Sequence, residues 1–219
     1  MKKGLVDIDW LCISKYSHEE ISYFLFLEGK TMEAICKIRN LDNSIVQKHI
    51  IDGKIKYRFL VHSNDTNELF KSIAKAGKED KIFFLNSMSE DNKNKLTELI
   101  KTTYVEMHPK DKESAVWILG ELKEKSCLNI LIKASVHKYI NVRRMAVSAM
   151  GKMGDIRAEG ALIRALEDDN PQVISYAIKS LGKIKSEKAI LKIKCIYENT
   201  DKKYIIDAAQ SFLLLMQRI

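Results

Sequence analysis

The chain has 219 residues, 46% apolar and 30% charged, which excludes a disordered chain and allows a substantial core. Two prolines and nine glycines, amid abundant Leu, Ile, Lys, Glu and Ala, predict an all-α fold. The formal charge of +8 suits an acidic partner such as nucleic acid, although 30 Lys against 7 Arg also fit the bias of an AT-rich genome.

From the start, Lys2 and Lys3 are followed by Asp7 and Asp9, where a signal peptide needs an apolar run. No stretch approaches the roughly 18 apolar residues of a membrane span, so a cytoplasmic location without membrane contact is expected. Cys12, Cys36, Cys127 and Cys195 lie far apart without a C-x-x-C pair, which fits reduced structural thiols.

Residues 17–54 predict three helices, at about 18–28, 31–38 and 43–52. Thr31 and Asp42 are the expected caps of the second and third. The spacing has the requirements of a helix-turn-helix. Cys36 supplies a small residue at the crossing, and Asn40 a residue tolerant of positive φ in the turn. Ile35, Leu41, Val46 and Ile50 supply the apolar pins. Gly29-Lys30-Thr31 resembles the end of a phosphate-binding loop, but that motif needs Gly where Phe24 stands. The five histidines are scattered, and His49 is expected to pack or cap within the third helix.

A helical connector is expected over 64–79, and a solenoid from 80 to the end, separated from a helix-turn-helix module at 1–63. The solenoid follows from a repeat with a constant offset of 31. Ala115, Ala146, Ala177 and Ala208 keep this step, as do Leu119, Met150, Leu181 and Phe212, and Leu122, Met153, Ile184 and Leu215. Gly120, Gly151 and Gly182 follow it, and so do Leu131, Leu162 and Ile193. Each unit reads as two helices, A and B. The small residue lets a neighbouring helix approach, and the Gly is expected to take the left-handed position that ends helix A. Pro171, after the polar turn Glu167-Asp168-Asp169-Asn170, suits the first turn of the next helix A. One such pair cannot bury its apolar face alone, so neighbours must stack. A degenerate unit, with Phe84, Leu85, Met88 and Ile100 in phase, precedes the clear ones, and a lone helix at about 203–217 reads as a cap.

Residues 150–190 resemble HEAT repeats of the phycobilisome-lyase type. The first module is similar to the helix-turn-helix at the carboxyl end of RecQ-type helicases and to those of sigma-factor and LuxR-like regulators. The matching residues are Glu28-Gly29-Lys30-Thr31, Ile35, Arg39, Leu41, Ile45-Val46 and His49, with Cys36 and Asn40 departing from Ala and Gly. The resemblance implies a binding protein rather than an enzyme. HEAT-like iron hydroxylases carry paired His-Glu dipeptides on their repeats, whereas the single His18-Glu19 lies outside this solenoid. Neither bilin-lyase chemistry nor the catalytic set of HEAT-like glycosylases can be placed on these residues. No cofactor, metal or catalytic group is therefore expected.

If the module binds DNA, the third helix enters the major groove by its first half. Asn43, Ser44 and Gln47 are then candidates for base edges, and Lys48 and Lys37 for phosphates, with Lys30 or Lys54 beside them. Lys133 and Arg164, one repeat apart on helix B, are candidates for a protein partner; helix B lines the concave face in the proteins this chain resembles. The crowded lysines 183, 185, 188, 192 and 194 read first as a solvated face. The expected function is an adaptor or regulator, with a pure protein-interaction scaffold as the alternative.

Overall fold

The computed structural model describes residues 2–217. Among them thirteen α-helices carry the fold, and the only pairing of strands is a two-residue ladder, Lys2–Lys3 with Val6–Asp7. The all-α expectation holds. The chain divides into two compact units between Asn92 and Lys93, inside α6 (Glu90–Thr103).

In the first unit, α1 (His18–Leu27) opens with a reciprocal capping box between Ser17 and Glu20. Helix α2 (Met32–Arg39) is capped by Thr31, whose hydroxyl accepts from Ala34 N–H. It ends at Asn40 in the left-handed region (φ 51°, ψ 50°), as the turn requires. Ile35, Val46 and Ile50 form the buried nucleus of the turn, with Leu25, Phe26, Met32, Cys36 and Leu41 packed against it. Asp42 stands at the cap position of the next helix but makes no capping hydrogen bond there.

Helix α3 spans Asn43–Val61, well past the expected end near residue 52. Gly53 reads as a helix weakness, yet it is buried where α1 crosses. A Cβ at Gly53 would lie 2.1 Å from Tyr23 Cγ, so only Gly admits that ring. Burial then continues beyond it through Phe59 and Leu60, Tyr57 stacks on Tyr23 at 5.6 Å, and Tyr57 and Lys56 both donate to Glu20. Tertiary packing overrides the local glycine penalty. Helices α4 (Thr66–Lys75) and α5 (Lys78–Ser87) complete this unit, burying Leu69, Phe70, Ile73, Phe84 and Leu85.

The second unit is a stack of helix pairs. Its A helices are α7 (Pro109–Leu122), α9 (Ile140–Met153) and α11 (Pro171–Lys183). Its B helices are α8 (Leu128–Ala134), α10 (Glu159–Arg164) and α12 (Ile190–Asn199), and α13 (Lys203–Met216) follows alone. Pro109 and Pro171 occupy the first turns of their helices, and Ala115, Ala146 and Ala177 are fully buried.

The repeated glycines do not end the A helices. Gly120, Gly151 and Gly182 lie inside them, and the left-handed residues are three positions later: Lys123 (φ 53°), Gly154 (φ 67°) and Lys185 (φ 55°). The glycines instead admit the next A helix. A Cβ at Gly120 would lie 2.6 Å from Ala149 Cβ, and one at Gly151 would lie 2.3 Å from Ser180 Oγ. Glu124 and Asp155, directly after the left-handed residues, cap short 3-10 turns by accepting from Ser126 and Arg157 N–H. Polar links also join repeats. Arg143 grips Asp168 through two hydrogen bonds of 2.6 and 2.8 Å, and Lys152 pairs with Glu121 one repeat back.

Candidate nucleic-acid interface and solenoid surface

The buried side of α3 fixes what its other side offers. Val46, His49 and Ile50 face the core, so Asn43, Ser44, Gln47 and Lys48 fall on the exposed side by helical spacing. All four are exposed, as is Lys37 on α2, and none of the five makes a side-chain hydrogen bond or ion pair among the described residues. His49 packs, as expected, and reaches across to Ser22 of α1 with Nδ1 3.1 Å from its Oγ.

The cations around this face differ in freedom. Lys30 is exposed at the α1–α2 turn. Lys54 lies over the Phe26 ring at 4.9 Å, a cation–π contact that holds it against α1. Arg39 donates to His18 Nδ1 at 2.8 Å, while its buried Nε makes no hydrogen bond among the described residues.

The acids set a limit to the anion-friendly surface. Ser44, Ile45, Lys48 and His49 share a cleft with Glu19 and Asp52. Glu19 sits below the usual carboxylate range, held by hydrogen bonds first from its own backbone N–H and then from Ser17, so it stays charged. The two carboxylates therefore oppose a polyanion on the side of α3, with Ser44 and Lys48, that borders this cleft. Further along α3, Ile51 and Ile55 are 50% and 55% exposed.

On the solenoid, Lys133 of α8 and Arg164 of α10 are exposed, and Cys195 of α12 continues their line. Neither cation has a side-chain partner among the described residues. The lysines of the last repeat are not uniform. Lys188 bonds Glu159 and Lys192 bonds Glu167, whereas Lys183, Lys185 and Lys194 are exposed. Trp117 is half-buried, with Lys152 Nζ 5.7 Å from its ring centre.

Among the described residues no group of three or more His, Cys, Asp or Glu side chains is placed to hold a metal ion. Nor is any of their helices long and apolar enough to cross a membrane.

A trihelical turn motif followed by stacked helix pairs defines a helical-repeat protein. Residues 94–159 and 137–213 match the family model described as HEAT repeats, and residues 18–108 match one described as a helix-turn-helix domain. The HEAT matches span more than half of the chain, which belongs to the HEAT-repeat family. No curated protein matches it.

Sequence reasoning missed the capping pair Glu124 and Asp155, although both follow the same 31-residue step as the glycines. It also missed Ser180, whose hydroxyl bonds across repeats to Val147 O at 2.9 Å. A serine in a helix carries no signal of its partner.

Proposed function

We propose that the chain is a non-enzymatic adaptor whose helix-turn-helix module (residues 1–63) contacts DNA, while the solenoid holds a protein partner. The observation that carries the DNA reading is the exposed, unengaged set Asn43, Ser44, Gln47 and Lys48 on the first two turns of α3. Amide and hydroxyl groups there can read base edges, and Lys48 with Lys37 can neutralise phosphates. On the solenoid, the open line of Lys133 and Arg164 suits an acidic protein segment.

A second reading has its own support. Ile51 and Ile55, exposed on α3 beside Asp52, suit a protein surface better than a phosphate backbone. In that reading the module docks protein and the whole chain is a scaffold.

Binding of a random DNA pool at about 50 mM salt, followed over a salt series, separates the two. Each phosphate contact contributes about one unit to the salt slope. The double variant Gln47→Ala, Lys48→Ala should weaken binding at unchanged fold, and Lys192→Ala should matter little. Absence of binding by the unaltered protein assigns the module to protein docking. Dominance of Lys192 and its neighbours assigns DNA to the solenoid instead.

A further inference from the structure

The two earlier junctions between A helices are closed, and the third is open. Gly120 is covered by Ala149 and Gly151 by Ser180, in each case the residue 29 positions on. By the same step Gly182 should be covered by Ser211. Instead a Cβ at Gly182 would meet only Phe212 at 3.5 Å and Leu215 at 3.8 Å, both at ordinary contact distance.

The serine at the equivalent position reports the same change, although Ser175 still reaches Tyr204 O across the α11–α13 junction at 3.4 Å. Ser180 donates across the α9–α11 junction to Val147 O at 2.9 Å. The equivalent bond at the next junction would run from Ser211 to Ile178 O. Ser211 turns back to its own helix instead, donating to Asp207 O at 2.7 Å. Phe212, standing where the earlier A helices carry Leu119, Met150 and Leu181, fills the junction with a ring.

What remains is a groove of about 390 Å³ between α11 and α13. That volume lies in the range of small-ligand pockets, about 300–1,000 Å³. Its apolar floor is formed by Gly182, Ile178, Ala208, Phe212 and Leu215, and Lys179 and Lys183 stand at its rim. Both lysines are exposed and outside any ion pair among the described residues. The reason lies in the repeat. Lys152 finds Glu121 one repeat back, but the residue one repeat back from Lys183 is Lys152 itself, of the same sign.

We propose that this groove binds a small anionic amphiphile, an acyl chain of medium length lying over Gly182 with its carboxylate between Lys179 and Lys183. The apolar floor demands the chain, and the two cations, neither paired with a carboxylate although Lys179 lies 5.8 Å over the Tyr176 ring, demand the charge. The site is independent of the DNA reading, since it uses no residue of the first module.

Decanoate is the probe, titrated into the full chain and followed by calorimetry and amide NMR. Saturable binding with shifts centred on Gly182 and Phe212 is expected, tightening about fourfold per added methylene from octanoate to decanoate. Lys179→Gln and Lys183→Gln should each weaken decanoate by up to about fivefold and leave decanol unchanged. Gly182→Leu should abolish binding by filling the floor; if that variant fails to fold, the lysine variants decide alone. Absence of saturable binding, shifts centred elsewhere, or equal affinity for decyltrimethylammonium overturns the proposal and leaves the groove to a protein side chain.

Discussion

His49 of α3 and Ser22 of α1 form a buried hydrogen bond behind the candidate DNA-facing residues, with Nδ1 3.1 Å from Oγ. The Ser22 hydroxyl is itself directed at His18 O at 3.2 Å, so its oxygen accepts from the imidazole N–H. Ser22→Ala removes that acceptor and leaves a buried donor unpaired. The first unit should lose about 1–3 kcal/mol. A urea titration followed by a probe in this unit checks it. Because Gln47 and Lys48 are untouched, DNA binding should fall only as far as the folded fraction does.

The repeat glycines should respond to the same substitution with opposite signs. Gly151→Ala forces a methyl against Ser180 and should cost about 1–3 kcal/mol, and Gly120→Ala should behave alike against Ala149. Gly182→Ala meets only ordinary contacts, so the better helix propensity of Ala should stabilise by up to about 1 kcal/mol. Thermal melts of the three variants test this, and a uniform loss would refute the open third junction.

Ala146 and Ala177 are fully buried on successive A helices. Enlarging either to Leu should overpack the stack by about 1–3 kcal/mol. Unchanged unfolding midpoints in both variants would contradict the packing.

Acid should reach the second repeat late. The Arg157 guanidinium, followed by the Arg157 backbone N–H, holds the Asp155 carboxyl at about 2. An unfolded Asp titrates near about 3.9. A folded value below the unfolded one means that the contribution is complete above that ordinary range and is lost as pH falls through about 2. Asp155→Asn keeps an acceptor for the Arg157 N–H but has no charge to titrate. The stability difference between the two proteins should therefore be constant above about pH 5 and shrink below about pH 4. Urea midpoints across that window measure it.

The legible parts of the fold are those where geometry demands a residue type. The buried alanines declare the repeat because a close helix contact excludes larger side chains, and Asn40 declares the turn because few residues accept positive φ. Gly120, Gly151 and Gly182 were misread because glycine serves both close approach and left-handed backbone, and sequence does not say which. The true left-handed positions were hidden because two of the three are lysines, Lys123 and Lys185. The long α3 was hidden for a related reason: Gly53 marks a contact with Tyr23, which lies thirty residues away. On the candidate face, helical spacing sufficed to separate Gln47 and Lys48 from Val46 and Ile50. The α11–α13 groove was illegible, because it arises from how Ser211 and Phe212 sit rather than from which residues they are.

The missing Ser211 bridge also orders the way the solenoid comes apart. Each repeat is held chiefly by its neighbours, so opening starts where a junction is weakest. The α9–α11 junction is pinned by Ser180 on Val147 O at 2.9 Å, and the α11–α13 junction only by the longer bond from Ser175 to Tyr204 O at 3.4 Å. Amide protons of α13 should exchange with solvent before those of α11, and those of α9 later still. The stack would then fray helix by helix from its carboxyl side.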